Sequence, residues 1–216
     1  MTNKMIIGGV VVLLVVAAGI FVLKTLPRTS APASVQAPTA QQAATSTYAT
    51  TTFSVVYPQD FIMSDAHVYD QVNPKKPIHG VKFTIPAAMA AGTNLASDTY
   101  LAVEQLPRAK NCTGDIYLAA DVKASTVQEN GAGYSVATSS GVAAGNLYDE
   151  TIYALSESSP CTAVRYYIHS MNIGNYATGT REFDRQALLN AFDTIRTSLR
   201  LGGAPASVPG STTTTP

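Results

Sequence analysis

One long apolar run lies near the N-terminus of the chain. Residues 5–23 contain no charged or strongly polar side chain, and Lys4 and Lys24 flank them. A helix of this length spans roughly 28 Å, close to the roughly 30 Å hydrocarbon core of a bilayer. The run exceeds the roughly 7–15 apolar residues of a signal peptide. We therefore predict a single transmembrane helix that stays as an anchor in the lipid bilayer, with a cleaved signal peptide as the alternative.

Two segments with almost no large apolar residue lie outside the central region. Residues 24–47 and 202–216 are rich in Pro, Ala, Ser and Thr. Such segments cannot bury enough apolar surface to offset the entropy cost of ordering them. We predict a disordered linker over 24–47 and a disordered tail over 202–216. Residues 1–4 then form a short N-terminal flank, and residues 48–201 form the folded domain.

Alternation of apolar and polar residues predicts β-strands in this domain. The strand candidates are residues 52–57, 81–85, 99–106, 126–128, 134–137, 147–155 and 162–170. Asn130-Gly131 is a strong turn signal and predicts a hairpin between the fourth and fifth candidates. In the last candidate, Val164, Tyr166 and Ile168 fall on one face of the strand. The pattern is typical of an antiparallel sheet with one strongly apolar face.

Two further segments have helical spacing. Residues 113–123 show a narrow apolar stripe, and residues 185–201 show a stronger one at Leu188, Phe192, Ile195 and Leu199. Asp184 is a suitable N-cap, and Phe183 is placed to contact Leu188 across it. Strands and helices do not alternate strictly. We therefore expect an α+β fold, an antiparallel β-sheet packed with helices, rather than a βαβ fold.

The two ends of the domain resemble PsbP-like domains. Residues 53–61 (FSVVYPQDF) look like the opening strand and turn of that family, and the helix with Phe192 and Ile195 is similar to its last element. The resemblance implies an antiparallel sheet sandwiched by helices, and a role in binding or assembly rather than catalysis. It carries over no functional residues and does not imply association with a photosystem.

Charge excludes one class of function. Three of the fourteen basic residues flank the apolar run, which leaves eleven basic against fourteen acidic residues and a balance of −3. A mildly acidic domain without a basic cluster lacks the electrostatic footprint of nucleic-acid binding. We expect no nucleic-acid partner.

The two cysteines are informative about the cellular compartment of the domain. Cys112 and Cys161 lie inside the domain, and a single even pair outside the cytoplasm favours a disulfide over two reduced thiols. Neither cysteine lies in a CxxC or CxH pattern, so zinc is not expected. Together with the linker and tail, the pair favours a single-pass protein of the cell membrane with its C-terminal domain outside the cytoplasm.

Candidate chemistry is sparse, because no hydrolase, zinc-protease or phosphate-loop motif occurs. The polar stretch 65–70 with His79 suggests either a metal site or, in our preferred interpretation, a solvated loop. The stronger hypothesis is a ligand groove on the polar face of the last two long strands. It comprises Arg165, Tyr167, His169, Tyr153 and Glu150. An ordinary solvated or covered face is the alternative, and we predict no catalytic residue, no metal and no cofactor.

Three functions remain open from the sequence. The first is a membrane-tethered binding or assembly module of the cell envelope, with a protein partner in the envelope. We prefer this function, so a non-catalytic role is favoured over an enzyme. The second is an envelope enzyme that uses the polar sheet face, with His169 as its acid or base. The third is a pilin-like or surface structural subunit.

Overall fold

The computed structural model describes residues 44–119, 121–176 and 178–202. Strands account for 48% of the described residues and helical turns for 15%. The predicted α+β class is therefore wrong, because the described structure is mostly β, with two sheets.

The smaller sheet joins the two ends of the described chain. Its order is β1-β2-β10, with β1 (Thr45–Ala49), β2 (Phe53–Pro58) and β10 (Arg200–Leu201). β2 pairs antiparallel with both neighbours. Strand β1 thus begins three residues before the predicted start of the domain.

The larger sheet has seven antiparallel strands in the order β3-β4-β5-β9-β8-β7-β6. They are β3 (Ile62–Tyr69), β4 (Ile78–Thr84), β5 (Tyr100–Leu106), β6 (Ser125–Glu129), β7 (Ala132–Ala143), β8 (Asn146–Leu155) and β9 (Cys161–Met171). The hairpin predicted at Asn130-Gly131 is confirmed, since Glu129 pairs with Ala132. Both turn residues have positive φ, the conformation that a tight two-residue hairpin requires.

In the described part of the chain, two α-helices accompany the sheets, α1 (Ala87–Ala90) and α2 (Arg185–Thr197). The predicted cap of α2 is confirmed, because the Asp184 carboxylate accepts a hydrogen bond from the Ala187 amide at 2.9 Å. Helix α2 ends before the predicted residue 201. The Ser198 hydroxyl accepts from the Val56 amide at 2.8 Å, and Arg200 and Leu201 form β10 against β2.

The faces of the large sheet bury two separate apolar clusters. One face, which we call the helix face, packs Val164, Tyr166 and Ile168 against α2 and β2. The opposite face, which we call the outer face, packs Ile152 and Ala163 against the irregular segment 107–124. This second cluster occupies only part of the outer face.

The helix predicted over 113–123 is wrong. Among the described residues of this range, only a 3₁₀ turn forms, at Gly114–Tyr117. The Tyr117 hydroxyl donates to the Cys161 carbonyl at 2.7 Å, and the Tyr117 carbonyl accepts from Arg165. An added Cβ on Gly114 would lie 2.8 Å from the Ala137 amide nitrogen. These close contacts with the sheet override a weak local preference for helix.

The solvated loop preferred for residues 65–70 is also wrong, because these residues belong mainly to strand β3. His67 and Tyr69 are buried, whereas their neighbours Ala66 and Val68 are exposed. The alternation has period two, but the inward positions are polar or amphipathic rather than aliphatic, so the hydrophobic pattern did not reveal the strand.

The predicted membrane helix over 5–23 lies outside the described residues, as do the tail beyond residue 202 and most of the linker. Within residues 44–119, 121–176 and 178–202, no helix is long and apolar enough to cross a membrane.

Candidate functional site

The pairing of β8 with β9 decides which predicted site residues share a face. Arg165, Tyr167 and His169 alternate along β9 and lie on the outer face. Glu150 is directly opposite Tyr167 and therefore joins them. Tyr153 is opposite Val164 and lies on the helix face instead. Four of the five predicted residues thus lie on one face of the sheet.

Tyr153 belongs to the packing beneath α2. Its ring centroid lies 5.1 Å from that of Tyr166, and the Arg196 guanidinium lies 4.2 Å from its ring. Burial raises the pKa of Tyr153, and the positive charge of Arg196 opposes that rise. The sequence placed Tyr153 in the groove only because it sits on the neighbouring strand.

Arg165 lies at the centre of a buried charge network on the outer face. Its Nε and Nη2 donate to the two oxygens of Glu104 at 2.9 and 3.0 Å, and its Nη1 donates to Glu150. Nη2 also donates to the Tyr117 carbonyl at 2.7 Å. The guanidinium carbon lies 3.5 Å from the centre of the Tyr69 ring. Arg165 and Glu104 are both 0% exposed, so this bidentate pair is fully removed from water.

Two side chains from β3 complete the charge network. The His67 Nε2 lies 2.9 Å from Glu104 Oε1 and donates to it, since a carboxylate can only accept. The Tyr69 hydroxyl donates to Glu150 at 2.9 Å. Gly80 of β4 lies between His67 and Glu104 in the register, so no side chain blocks this contact.

The charge network shifts the pKa values of its members in opposite directions. Burial would raise the pKa of Glu104, but the positive charge of Arg165 and hydrogen bonds from His67 and Arg165 lower it. Burial would lower the pKa of Arg165, but the charges of Glu104 and Glu150 raise it. Both shifts favour the charged forms, so the pair stays ionised inside the protein.

Beyond the network, the outer face carries an aromatic strip that comprises Tyr100, Tyr148, Tyr167 and His169. Tyr100 stacks on Tyr167 with ring centroids 4.8 Å apart, and Tyr148 stacks on His169 at 4.6 Å. Each stack is a directly opposed cross-strand pair, the closest arrangement that a sheet offers. Burial, with the nearby charges of Asp98, Tyr148 and Glu150, raises the pKa of Tyr167 to about 12.

His169 is held at both ring nitrogens. Nδ1 lies 2.7 Å from Asp98 Oδ1, and Nε2 lies 3.0 Å from Asn146 Oδ1. The Asn146 amide nitrogen donates to the Ala143 carbonyl, which orients its oxygen toward the histidine. A general base needs a free nitrogen within reach of a substrate proton. Neither nitrogen of His169 is free.

The aromatic strip does not border the main cavities of the described residues. Four such cavities are lined by other residues, none of which belongs to the charge network or the aromatic strip. The stacked rings occupy one another's faces, and Tyr148, Tyr167 and His169 stay partly exposed whereas Tyr100 is buried. Such a surface suits a broad partner better than an enclosed small molecule.

The predicted disulfide is confirmed, since Cys112 and Cys161 are bonded. Both cysteines line the largest of the four cavities, a polar groove of about 460 Å³. The bond joins the segment 107–124 to the start of β9. It therefore supports the Tyr117 carbonyl in its contact with Arg165.

The side chains of the metal hypothesis are dispersed. His67 contacts Glu104 on the outer face, whereas His79 is opposite Val68 and lies on the helix face of β4. Asp65 and Asp70 are exposed. Within the described residues, no three His, Cys, Asp or Glu side chains are arranged to hold a metal ion.

The sequence missed several site residues. Glu104 carried one signal, because it is a carboxylate within an otherwise apolar strand and so needs a buried partner. Tyr100 and Tyr148 had no such signal, since tyrosine is common in strands. Asp98 precedes β5 and reaches His169 only through the pairing of β5 with β9.

Comparison with known proteins yields no match, either to a protein-family model or to a curated protein. The PsbP-like resemblance of the two ends of the domain stays a prediction.

Proposed function

We propose that the domain is a non-catalytic binding module of the cell envelope, tethered to the membrane outside the cytoplasm by residues 5–23. Its binding surface is the aromatic strip. The observation that supports this proposal most is the pair of cross-strand stacks in the strip, whose rings are held in place by direct opposition on the sheet. A site of this kind is preorganised, so little ordering entropy is lost when a partner binds.

The chemistry of the strip favours a protein partner. Tyrosine is enriched in protein interfaces because it combines a large apolar ring with a hydroxyl group and few rotatable bonds. Tyr148, Tyr167 and His169 are half-buried, so their edges are available without any rearrangement. Asp98, with its side chain 64% exposed, adds a hydrogen-bond acceptor at the rim.

The test is co-purification from native membranes. Full-length protein with an affinity tag after Pro216 is solubilised gently, and its companions are identified by mass spectrometry. We expect a stoichiometric partner whose recovery falls at least about tenfold for Tyr148→Ala, the loss typical of a central interface tyrosine. Tyr176→Ala is the matched control, because Tyr176 is also half-buried but lies outside the strip. A partner that the Tyr148 variant retains would refute the proposed surface.

A further inference from the structure

The large sheet has an open edge at β3. Within the described residues, this strand pairs with β4 alone. The backbone N–H and C=O groups on the side of β3 away from β4 therefore have no strand partner. Three large apolar side chains on it are exposed, Ile62 at 65%, Met63 at 39% and Val68 at 52%. An exposed edge with apolar side chains marks an interaction site when it persists in a native protein.

This edge has few of the features that protect edge strands from pairing. No lysine, arginine or proline occurs in residues 62–69, and the strand is eight residues long. One irregularity occurs between Ser64 and His67, where the register with β4 shifts. It leaves residues 62–64 and 67–69 in regular strand geometry on either side.

The edge is also acidic. Asp60, Asp65 and Asp70 are all exposed and recur every five residues along the edge. No lysine or arginine of the described chain forms a salt bridge with any of them. Lys82 of β4 is opposite Ser64, the neighbour of Asp65, but its ammonium lies 5.3 Å from the Tyr100 ring centre on the outer face. The charge of Asp65 acts on the nearby Tyr48, but within the described residues its carboxylate has no basic partner and can pair with one from outside.

We propose that β3 docks an extended segment of a second protein, which adds an eighth strand to the large sheet. That segment carries alternating β-branched apolar residues and a lysine or arginine placed to meet Asp65. Main-chain hydrogen bonds provide the affinity in this mode, and the alternate side chains provide the specificity. The edge is separate from the aromatic strip, which lies on β5, β8 and β9.

The charge pattern favours a different protein over a second copy of this chain. In the antiparallel self-pairing that sets Ile62 opposite Val68 of the other copy, the two Asp65 carboxylates fall directly opposite each other. Like charges at directly opposed positions destabilise a strand pair. A second copy would also bring three further carboxylates to the same edge.

The proposal can be tested with two synthetic peptides on full-length protein in zwitterionic nanodiscs. Both peptides have ten residues of alternating valine and threonine; one carries a central lysine and the other a central glutamate. Fluorescence anisotropy measures their binding, and hydrogen exchange locates it. We expect saturable binding of the lysine peptide, about fivefold tighter than the glutamate peptide, with added amide protection confined to residues 62–69.

Two variants sharpen this test. Asp65→Lys should reverse the preference, so that the glutamate peptide binds more tightly. Val68→Thr keeps a β-branched side chain at an exposed position and should weaken the binding of both peptides several-fold.

Absence of saturable binding, an unchanged preference in Asp65→Lys, or protection outside β3 would overturn the proposal. A concentration-dependent dimer that protects the same amides, seen in sedimentation, would replace it with self-pairing. Tyr148→Ala should leave peptide binding unchanged, which separates this result from the fate of the aromatic strip.

Discussion

At the scale of single residues, Arg165 joins more of the outer face than any neighbour. It contacts side chains from β5 and β8 and a carbonyl of the segment 107–124. The attraction between buried charges is strong, but so is the cost of taking them from water. A pair of this kind therefore adds less net stability than its contacts suggest. Removing one partner is costly, because the other charge stays buried.

We expect Arg165→Met to lower the free energy of unfolding by about 3–5 kcal/mol, because Glu104 would be left buried without its counter-charge. Arg185→Met is the matched control. Arg185 pairs with Asp149 at 2.9 Å, but its side chain is 52% exposed. Exposed pairs contribute about 0–1 kcal/mol. Urea titration of the full-length protein in detergent measures both losses, and equal losses would contradict a special role for the buried pair.

The lowered pKa of Glu104 predicts a loss of stability in acid. The folded state lowers this pKa from its reference value of 4.5. The unfolded chain therefore binds a proton more readily, and stability falls as the pH drops below about 4.5 toward the folded value. We expect Glu104→Gln to be less stable at neutral pH but to lose less stability between about pH 5 and pH 3. Glu157→Gln, at an exposed position, should keep the wild-type pH profile. A wild-type profile in Glu104→Gln would contradict the assignment.

At the scale of the strands and helices, backbone proximity shapes the outer face as much as side-chain chemistry does. Gly80 of β4 lies between His67 of β3 and Glu104 of β5 in the register. An added Cβ there would lie 2.1 Å from the Val103 carbonyl oxygen. The glycine therefore allows β4 and β5 to approach closely while His67 reaches Glu104 across β4.

Gly80→Ala should destabilise the protein by about 1–3 kcal/mol, because the backbone of β4 or β5 must shift. Gly141→Ala is the control in another strand, since an added Cβ at Gly141 meets nothing within 4 Å. There we expect no loss, or a small gain from the reduced entropy of the unfolded chain. Thermal unfolding with a tyrosine signal measures both variants. A comparable loss of stability in Gly141→Ala would show that the effect of Gly80→Ala does not come from a steric clash of the added Cβ.

The elements show where sequence reasoning succeeds and fails in this protein. The cap and apolar stripe of α2 are local, and so is the Asn130-Gly131 turn, which made all of them predictable. Strand β3 was missed because its inward residues, His67 and Tyr69, are polar or amphipathic and are satisfied only by distant carboxylates. The candidate site was predictable only in part, because it too depends on contacts between residues far apart in the sequence. Period two placed Arg165, Tyr167 and His169 together, but only the register of β8 could exclude Tyr153.

At the scale of the whole molecule, one covalent bond and one charge network hold the outer face together. The bond from Cys112 to Cys161 fixes the segment 107–124 on the sheet, and Arg165 binds the Tyr117 carbonyl of that segment. The disulfide closes a sequence separation of 49 residues. On the chain-entropy model, closing a loop of this size stabilises the folded protein by about 4 kcal/mol, because it restricts the unfolded chain. Such a bond persists in an oxidising compartment.

The proposed anchor gives the last prediction. Replacing residues 1–23 with a cleavable secretory leader should release the domain as a soluble, disulfide-bonded protein outside the cytoplasm, whereas the full-length chain should stay with the membrane after alkaline carbonate extraction. The reason is the apolar length of residues 5–23, which matches a bilayer core. The control is the same chain without residues 1–23 and without a leader. It stays in the reducing cytoplasm and should contain free thiols at Cys112 and Cys161. Alkylation with a mass tag counts these thiols. Full-length protein that dissociates in carbonate would contradict a spanning anchor, and free thiols in the exported domain would contradict the location.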